Sequence, residues 1–349
     1  MTDKPIHIVV ENHIPFIRGV FERLGCEVSY LAAGDIDRQA LMNADALVTR
    51  TRTRCDATLL EGTGVSLVAT ATIGTDHIDL KWCAEHGIAV ANAPGCNAPA
   101  VAQYVLSSIA RLTNRPVSQL RLGIVGAGHV GSIVERWARA LDMEVMVCDP
   151  PRERLEGGSG WSSLENIARE ADIVSVHTPL TREGEDATLG LIGEAFFAQT
   201  RRAPVVINAA RGGIVDEKAL LAAMESGRCG GAVTDCWSGE PEIDRSLLEK
   251  ALIATPHIAG YSRQGKIRAT AMAIDAVCRH FGLEAATPDA EAVEPCAQTV
   301  TVRSAMDSYN PLEDTAALRE AFAREGGRGF ERLRDSYALR PEAPQARID

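Results

Sequence analysis

The stretch LRLGIVGAGHVGSIVERWARALDMEVMVCDP, residues 120–150, decides the fold. It opens on a short apolar run, LGIV, of strand length. Glycines follow at 126, 128 and 131 in the spacing GxGxxG. A helix-length segment then carries Val130, Ile133, Val134, Trp137 and Leu141 at helical intervals. EVMVC reads as a second strand and ends at Asp149, 23 residues after the first glycine. Strand, glycine turn, helix, strand and closing acid together form the dinucleotide-binding unit of a Rossmann fold. Gly126 permits the tight turn, Gly128 lets backbone approach a pyrophosphate, and Gly131 lets helix and strand pack closely. The helix N-terminus offers unpaired N–H groups to phosphate. Asp149 can accept hydrogen bonds from a ribose diol and would repel a 2′-phosphate, which favours NAD over NADP.

Similar units lie on both sides. Upstream are the apolar runs HIVVEN (7–12), DALVTR (45–50), SLVATATIG (66–74) and GIAVANAPG (87–95). Downstream are ADIVSVHTPL (171–180), PVVINAARGG (204–213), GAVTDCW (231–237) and LIATPHI (252–258). Helix-like segments alternate with them, so the pattern predicts βα units around parallel sheets, with ligand sites beyond the strands' carboxyl ends. The downstream runs each reach a polar group: His177, Arg211, Asp235 and His257. Singly, each is as well explained by structure as by function; four in one sheet favour a shared cleft. NAPAVAQYVLSSIARL (97–112) predicts a helix capped by Asn97, with Pro99 in its first turn. Its start is a candidate hinge.

The chain's 349 residues can form two or three domains. A hydrophobic share of 46% and a charged share of 24% describe a globular protein. The net charge of -11 argues against broad nucleic-acid binding. No apolar run suits a membrane span, and the opening MTDKPIHIVV lacks the layout of a secretion signal. A soluble, cytoplasmic protein is the expectation. The nine cysteines, at 26, 55, 83, 96, 148, 229, 236, 278 and 296, are widely spaced with no CxxC. They read as small buried hydrophobes rather than a disulfide scaffold or metal site.

Oxidation of a 2-hydroxy acid needs a hydride acceptor, a cation for the carboxylate, and a base for the hydroxyl proton. Arg211 can offer a bidentate fork to a carboxylate. His257 can serve as the base, and Glu240 can pair with it and favour its protonated form. Each also has an ordinary structural reading: a salt bridge, a hydrogen-bonded loop histidine, a solvated loop acid. Asp235 can orient backbone or cofactor.

Through GIVGAGHVG, CDP, INAARGGIVDEKAL, DCWSGEP and TPHIAG, in that order, the chain resembles the D-isomer-specific 2-hydroxyacid dehydrogenase family. The resemblance implies an α/β fold: a Rossmann-type NAD-binding domain inserted in a discontinuous flavodoxin-like substrate domain, plus a C-terminal α+β dimerisation domain. Expected boundaries are 1–95 with 257–288 for substrate, 96–256 for NAD and 289–349 for the tail. The resemblance makes His257 the acid/base, Glu240 its partner and Arg211 the carboxylate anchor. It implies cofactor contacts from Gly126, Gly128, His129, Val130, Gly131 and Asp149. Thr178, Pro179, Ala210, Asp235 and Gly260 complete that set.

VVENHIPF (9–16), TRTRT (49–53), TATIGTDHIDL (70–80) and HIAGYSRQGK (257–266) narrow the resemblance to a branch acting on a phosphorylated 2-hydroxy acid. Arg50 is the expected phosphate cation, with Thr51, Thr72 and His77 adding hydrogen bonds and Tyr261 donating its hydroxyl to substrate. Three alternatives stand: Arg50 paired to a nearby acid, His77 orienting its loop, and Tyr261 packed at a domain seam. Thr51 stands where this branch more often has serine, and keeps the hydroxyl.

Beyond residue 289 the βα pattern ends. DTAALREAFARE (314–325) and GFERLRDSYALR (329–340) look helical, with Phe330, Leu333 and Tyr337 on one face. They are expected to pack against a strand in QTVTV (298–302) and against a second copy in a homodimer. The end, PEAPQARID (341–349), reads as frayed. Other readings are another D-2-hydroxyacid dehydrogenase, such as one using 3-phosphoglycerate, and an NAD-sensing corepressor without catalysis. No metal, nucleic acid or membrane partner is expected.

Overall fold

The structure, a computed structural model, describes residues 4–343. Residues 344–349, most of the stretch read as frayed, lie outside the described residues. The chain forms two compact units: Met1–Asn97 with Arg263–Pro295, and Ala98–Ser262 with Cys296–Asp349.

The first unit is built on β1 (His7–Glu11), β2 (Glu27–Leu31), β3 (Ala46–Thr49), β4 (Leu67–Thr70) and β5 (Ala89–Ala91). All pair in parallel, in the order β2-β1-β3-β4-β5, which is the flavodoxin-like arrangement. The central strands β3 and β4 are fully buried and apolar up to a final threonine, because both faces of a parallel sheet are covered there. On one face Ile8, Val10, Val48 and Ala69 pack with Ala269, Ala273, Ile274 and Val277 of the helix Arg263–Phe281. On the other, Val9, Leu47 and Val68 meet Leu41, Leu59 and Cys83.

The second unit holds β6 (Arg121–Val125), β7 (Glu144–Cys148), β8 (Ile173–Val176), β9 (Val205–Asn208), β10 (Gly231–Thr234) and β11 (Ile253–Ala254). They form one parallel sheet, ordered β11-β10-β9-β8-β6-β7. The order reverses between β6 and β8, the switch point where ligands of such sheets bind. Alternation splits each strand between two cores: Val174, Val206, Ala232 and Ala254 on one face, Ile173, Ile207, Val233 and Ile253 on the other.

The tail contributes to both cores. Leu318, Phe322 and Phe330 join the first, and Ala297, Val300, Ala305 and Tyr309 join the second. Each buried large side chain contributes about 1.5–3 kcal/mol. The expected α+β tail is corrected: its described residues form the helices Val302–Ser308, Pro311–Glu325 and Gly327–Asp335 and no named strand. QTVTV runs into a helix because Thr301 and Ser304 cap each other's backbone, a reciprocal capping box. A second correction concerns the helix Ala98–Leu112: the Asn97 Oδ1 meant to cap it is buried and accepts no hydrogen bond. Among the described residues no helix is long and apolar enough to cross a membrane.

Candidate active site

The glycine turn follows β6 as its spacing predicts. Gly126 has φ +92°, and a side chain there would meet the His177 and Thr178 backbone at 2.8 Å. A Cβ on Gly131 would run into the Gly126 carbonyl oxygen. At Gly128 the same atom would meet nothing within 4 Å, so open space lies beside the turn. The helix His129–Ala140 starts there with no side-chain cap, leaving first-turn N–H groups for an anion. Thr178 Oγ1, on the loop against Gly126, is buried and has no partner. This cradle fits a dinucleotide. Asp149 closes β7, and its Oδ2 accepts from Ala127 N–H (2.7 Å) while Oδ1 accepts from Arg152 N–H (3.0 Å). The acid therefore fixes the turn and caps the helix Pro150–Glu156, with lone pairs left for a diol.

Arg211, Glu240 and His257 stand on the loops after β9, β10 and β11, which are neighbouring strands. Asn208 ties two of these loops together, donating from Nδ2 to the Arg211 carbonyl (3.0 Å) and the Cys236 carbonyl (3.1 Å). Gly212 allows their close approach, since a Cβ there would strike the Trp237 carbonyl. The third loop is held by Asp235, which is buried. It accepts from Thr255 Oγ1 (2.7 Å) and from the N–H groups of Ile258 (2.8 Å) and Ala259 (3.0 Å). These bonds hold His257 at φ 58°, a left-handed conformation that costs energy outside glycine. Asp235 thus orients backbone, one of the two roles expected for it.

His257 Nδ1 lies 2.8 Å from Glu240 Oε2 and 3.1 Å from Oε1. Oε1 also accepts from Trp237 N–H (2.8 Å), so the carboxylate is aimed before any substrate arrives. Burial works against an imidazolium here, yet the Cys236 sulfur and the Glu240 carboxylate hold His257 well above its ordinary value. Burial pushes the Cys236 thiol up, and Glu240 is the partner that meets Nδ1 at hydrogen-bond distance. Glu240 itself is pushed up by burial, but the hydrogen bond and charge of His257, the Trp237 N–H and the Arg334 charge together outweigh that, and its pKa ends below the usual value. With Nδ1 engaged, Nε2 is the atom left for proton transfer. His177 differs: burial pushes it down to about 3, and its Nε2 pairs with Ser175 Oγ at 2.9 Å. It is a neutral structural histidine.

In the first unit, Arg50 forms a two-pronged ion pair with the fully buried Glu11. Nη2 lies 2.6 Å from Oε1, and Nε is 3.0 Å from both oxygens. Its charge is thus already balanced by an acid at the end of β1. Thr51 is exposed in the next turn, and Thr72 Oγ1 lies 2.7 Å from Thr70 Oγ1. Beyond the carboxyl ends of β1, β3 and β4, the buried atoms Asn12 Oδ1, Thr53 Oγ1 and His77 Nε2 have no partner. Burial keeps His77 below its ordinary value, hence neutral. Buried polar atoms without partners are costly unless a ligand meets them.

Two tail residues at the second unit's site were not expected. Arg340, 7% exposed, donates to the carbonyls of Ile258 (3.0 Å), Tyr261 (3.1 Å), Ala100 (3.3 Å) and Ala259, directly behind His257. Arg334 Nη1 lies 4.0 Å from Glu240 Oε2. Tyr261 packs edge-on against Tyr337 of the same tail. Eight cysteines are buried, Cys296 is half-buried, and none is bonded to another. Among the described residues no cluster of His, Cys, Asp or Glu is arranged to hold a metal.

Residues 100–259 match the family described as D-isomer specific 2-hydroxyacid dehydrogenase, NAD binding domain. Erythronate-4-phosphate dehydrogenase of Bacteroides thetaiotaomicron is 44% identical over 341 residues, covering 96% of this chain and 97% of that protein. The chain belongs to the D-isomer specific 2-hydroxyacid dehydrogenase family. Within it, erythronate-4-phosphate dehydrogenase of Sodalis glossinidius is 39% identical over 96% of this chain and 92% of that protein. Among solved structures, NAD+-bound 3-phosphoglycerate dehydrogenase of Entamoeba histolytica is 25% identical with a TM-score of 0.68. It covers 80% of this chain and 96% of that one. The family's inserted nucleotide-binding fold is the arrangement seen here.

Proposed function

We propose that this chain is an NAD-dependent oxidoreductase that converts 4-phospho-D-erythronate to 2-oxo-3-hydroxy-4-phosphobutanoate, in the synthesis of pyridoxal 5′-phosphate. The observation that carries the reading is the aimed Glu240–His257 pair, in a chain similar along nearly all its length to relatives bearing that enzyme's name. Residues 98–262 form the NAD-binding part and residues 1–97 with 263–295 the substrate part. Bound NAD+ supplies the acceptor for the C2 hydride. The Gly128 turn and the first N–H groups of the helix His129–Ala140 hold its pyrophosphate, and Asp149 its ribose diol. Thr178 and Pro179 line the same turn. Arg211 anchors the C1 carboxylate, and His257 Nε2 takes the C2 hydroxyl proton. Glu240 stabilises the imidazolium that forms. Thr51, Thr72, His77 and Tyr261 recognise the rest of the substrate. Arg50, its charge shared with Glu11, gives direction rather than net charge. The enzyme works as a cytoplasmic homodimer; sedimentation showing only monomer at micromolar concentration would refute that part.

The test follows NADH formation with 4-phospho-D-erythronate, 3-phospho-D-glycerate and D-erythronate in parallel. Enough enzyme is used to see one turnover, and a 2-oxo acid acceptor is included. Preference for 4-phospho-D-erythronate is expected. Preference for 3-phospho-D-glycerate would keep the chemistry and overturn the substrate. Bound NAD with no hydride transfer from any of the three would overturn the enzyme reading.

A further inference from the structure

Besides Arg340, which braces the His257 loop, the tail brings a cation to the Glu240 carboxylate. Arg334 lies near the end of the helix Gly327–Asp335, on the flank of the face that buries Phe330. Its side chain is 21% exposed, and its Nη1 stands 4.0 Å from Glu240 Oε2 and 3.2 Å from Glu331 Oε1. Its Nε is buried without a hydrogen-bond partner. Oε2 is the same oxygen that lies 2.8 Å from His257 Nδ1. A guanidinium in so enclosed a place is costly unless its charge is used.

We propose that Arg334 is a positioning residue for the proton-transfer pair: it sets a positive charge beside the Glu240 oxygen that faces His257 and offsets part of the carboxylate's charge, so that His257 can release its proton as well as take it. The proposal rests on the reading of His257 as the base. A shielded carboxylate 2.8 Å from an imidazole would otherwise favour the imidazolium strongly and leave little free base. Other charged or titratable groups also face the pair. Asp235 and Cys236 adjoin His257 from just past the end of β10, and Arg340 sits behind it on the carbonyls of Ile258 and Ala259. Glu217, from the helix Glu217–Glu225, accepts from Ser238 N–H at 2.6 Å. Tyr261 adjoins Arg334 from the His257 loop, and Glu331 shares the helix of Arg334. Arg334 is the cation that pairs with Glu240 from the tail, so its removal has a sign that can be predicted.

The test measures kcat/KM for oxidation against pH in wild type, Arg334→Gln, Arg334→Lys and Glu331→Gln. Histidine titrations are followed by NMR on 13C-histidine-labelled protein without substrate. Arg334→Gln leaves Glu240 unopposed, so His257 holds its proton to higher pH and the acid limb moves up. It reads as an about threefold loss on the limb relative to the plateau. Arg334→Lys restores the limb. Glu331→Gln removes a negative charge near the pair, and moves the limb the other way. A uniform loss with no limb movement in Arg334→Gln and Glu331→Gln would make Arg334 merely structural and overturn the proposal. If Arg334→Gln fails to fold, the Glu331→Gln limb and NMR titration decide alone. His257→Asn separates the two readings. Near-normal turnover there would sink the base assignment itself, whereas lost turnover with unmoved limbs would sink only Arg334.

Discussion

Replacing Glu240 by Gln removes a charge beside His257 while keeping an acceptor in nearly the same place. The oxygens lie 2.8 and 3.1 Å from Nδ1, and the side chains of His257 and Glu240 are 30% and 18% exposed. At an effective dielectric near 20, that separation is worth about 6 kcal/mol of gross attraction. Partial exposure and the opposing charge of Arg334 reduce it, and losing one partner of such a pair costs about 3–4 kcal/mol. The imidazolium forms as the hydroxyl proton leaves, so most of this loss falls on the transition state. At 1.36 kcal/mol per decade, kcat falls about 10²–10³-fold. The sign of the pH effect follows from the same contacts. Without the carboxylate, burial meets less opposition and His257 gives up its proton at lower pH. The acid limb of oxidation therefore moves down while the plateau drops. Single-turnover NADH absorbance across pH reads both. A plateau within about threefold of wild type, or an unmoved limb, would refute the reasoning.

Three further outcomes follow from the same geometry. Gly131→Ala drives a methyl group into the Gly126 carbonyl and should cost about 1–3 kcal/mol in denaturant melts. Gly128→Ala, facing open space, should leave the melt within about 0.5 kcal/mol and weaken NADH binding by fluorescence titration; equal stability losses in the two would contradict the roles given to these glycines. Arg340→Met strips a donor from four carbonyls, costs about 3–5 kcal/mol and should lower the melting temperature by about 5–10 °C; an unchanged melt would show the brace is dispensable. Because His257 is held protonated above its ordinary value, oxidation should speed up as pH rises through that range while reduction of the 2-oxo acid slows; parallel profiles in the two directions would exclude it as the shared acid/base.

What the sequence displayed was local. The glycine turn, its helix and Asp149 lie within 120–150, so periodicity and spacing reveal them together. Arg211, Glu240 and His257 each end a strand–loop step, and the parallel order lines those ends up. What stayed hidden depends on distant pairing. Glu11 and Arg50 meet across 39 positions, and Arg340 reaches Ala100 across 240. No window of helical or strand period contains such a contact. His177 shows the converse: by position it matches the functional strand ends, but its bond to Ser175 makes it structural. In QTVTV the β-branched residues predict a strand, yet Thr301 and Ser304 cap a helix, and capping prevails where no neighbouring strand is available to pair.

The helix Arg263–Phe281 covers a sheet whose last strand ends at Ala91. A ribosome adds about 5–20 residues each second, so the sheet emerges roughly 10–35 s before its cover. Through that interval the face formed by Ile8, Val10 and Val48 has no helix to lie against. The strands of the second sheet are synthesised meanwhile, but their cores also wait, for Leu318, Phe322 and Phe330 on one face and Val300, Ala305 and Tyr309 on the other. The sheet made first therefore waits for a cover encoded more than 170 positions later. A nascent chain halted short of residue 263 would carry a bare apolar sheet, the species on which a holding chaperone would act.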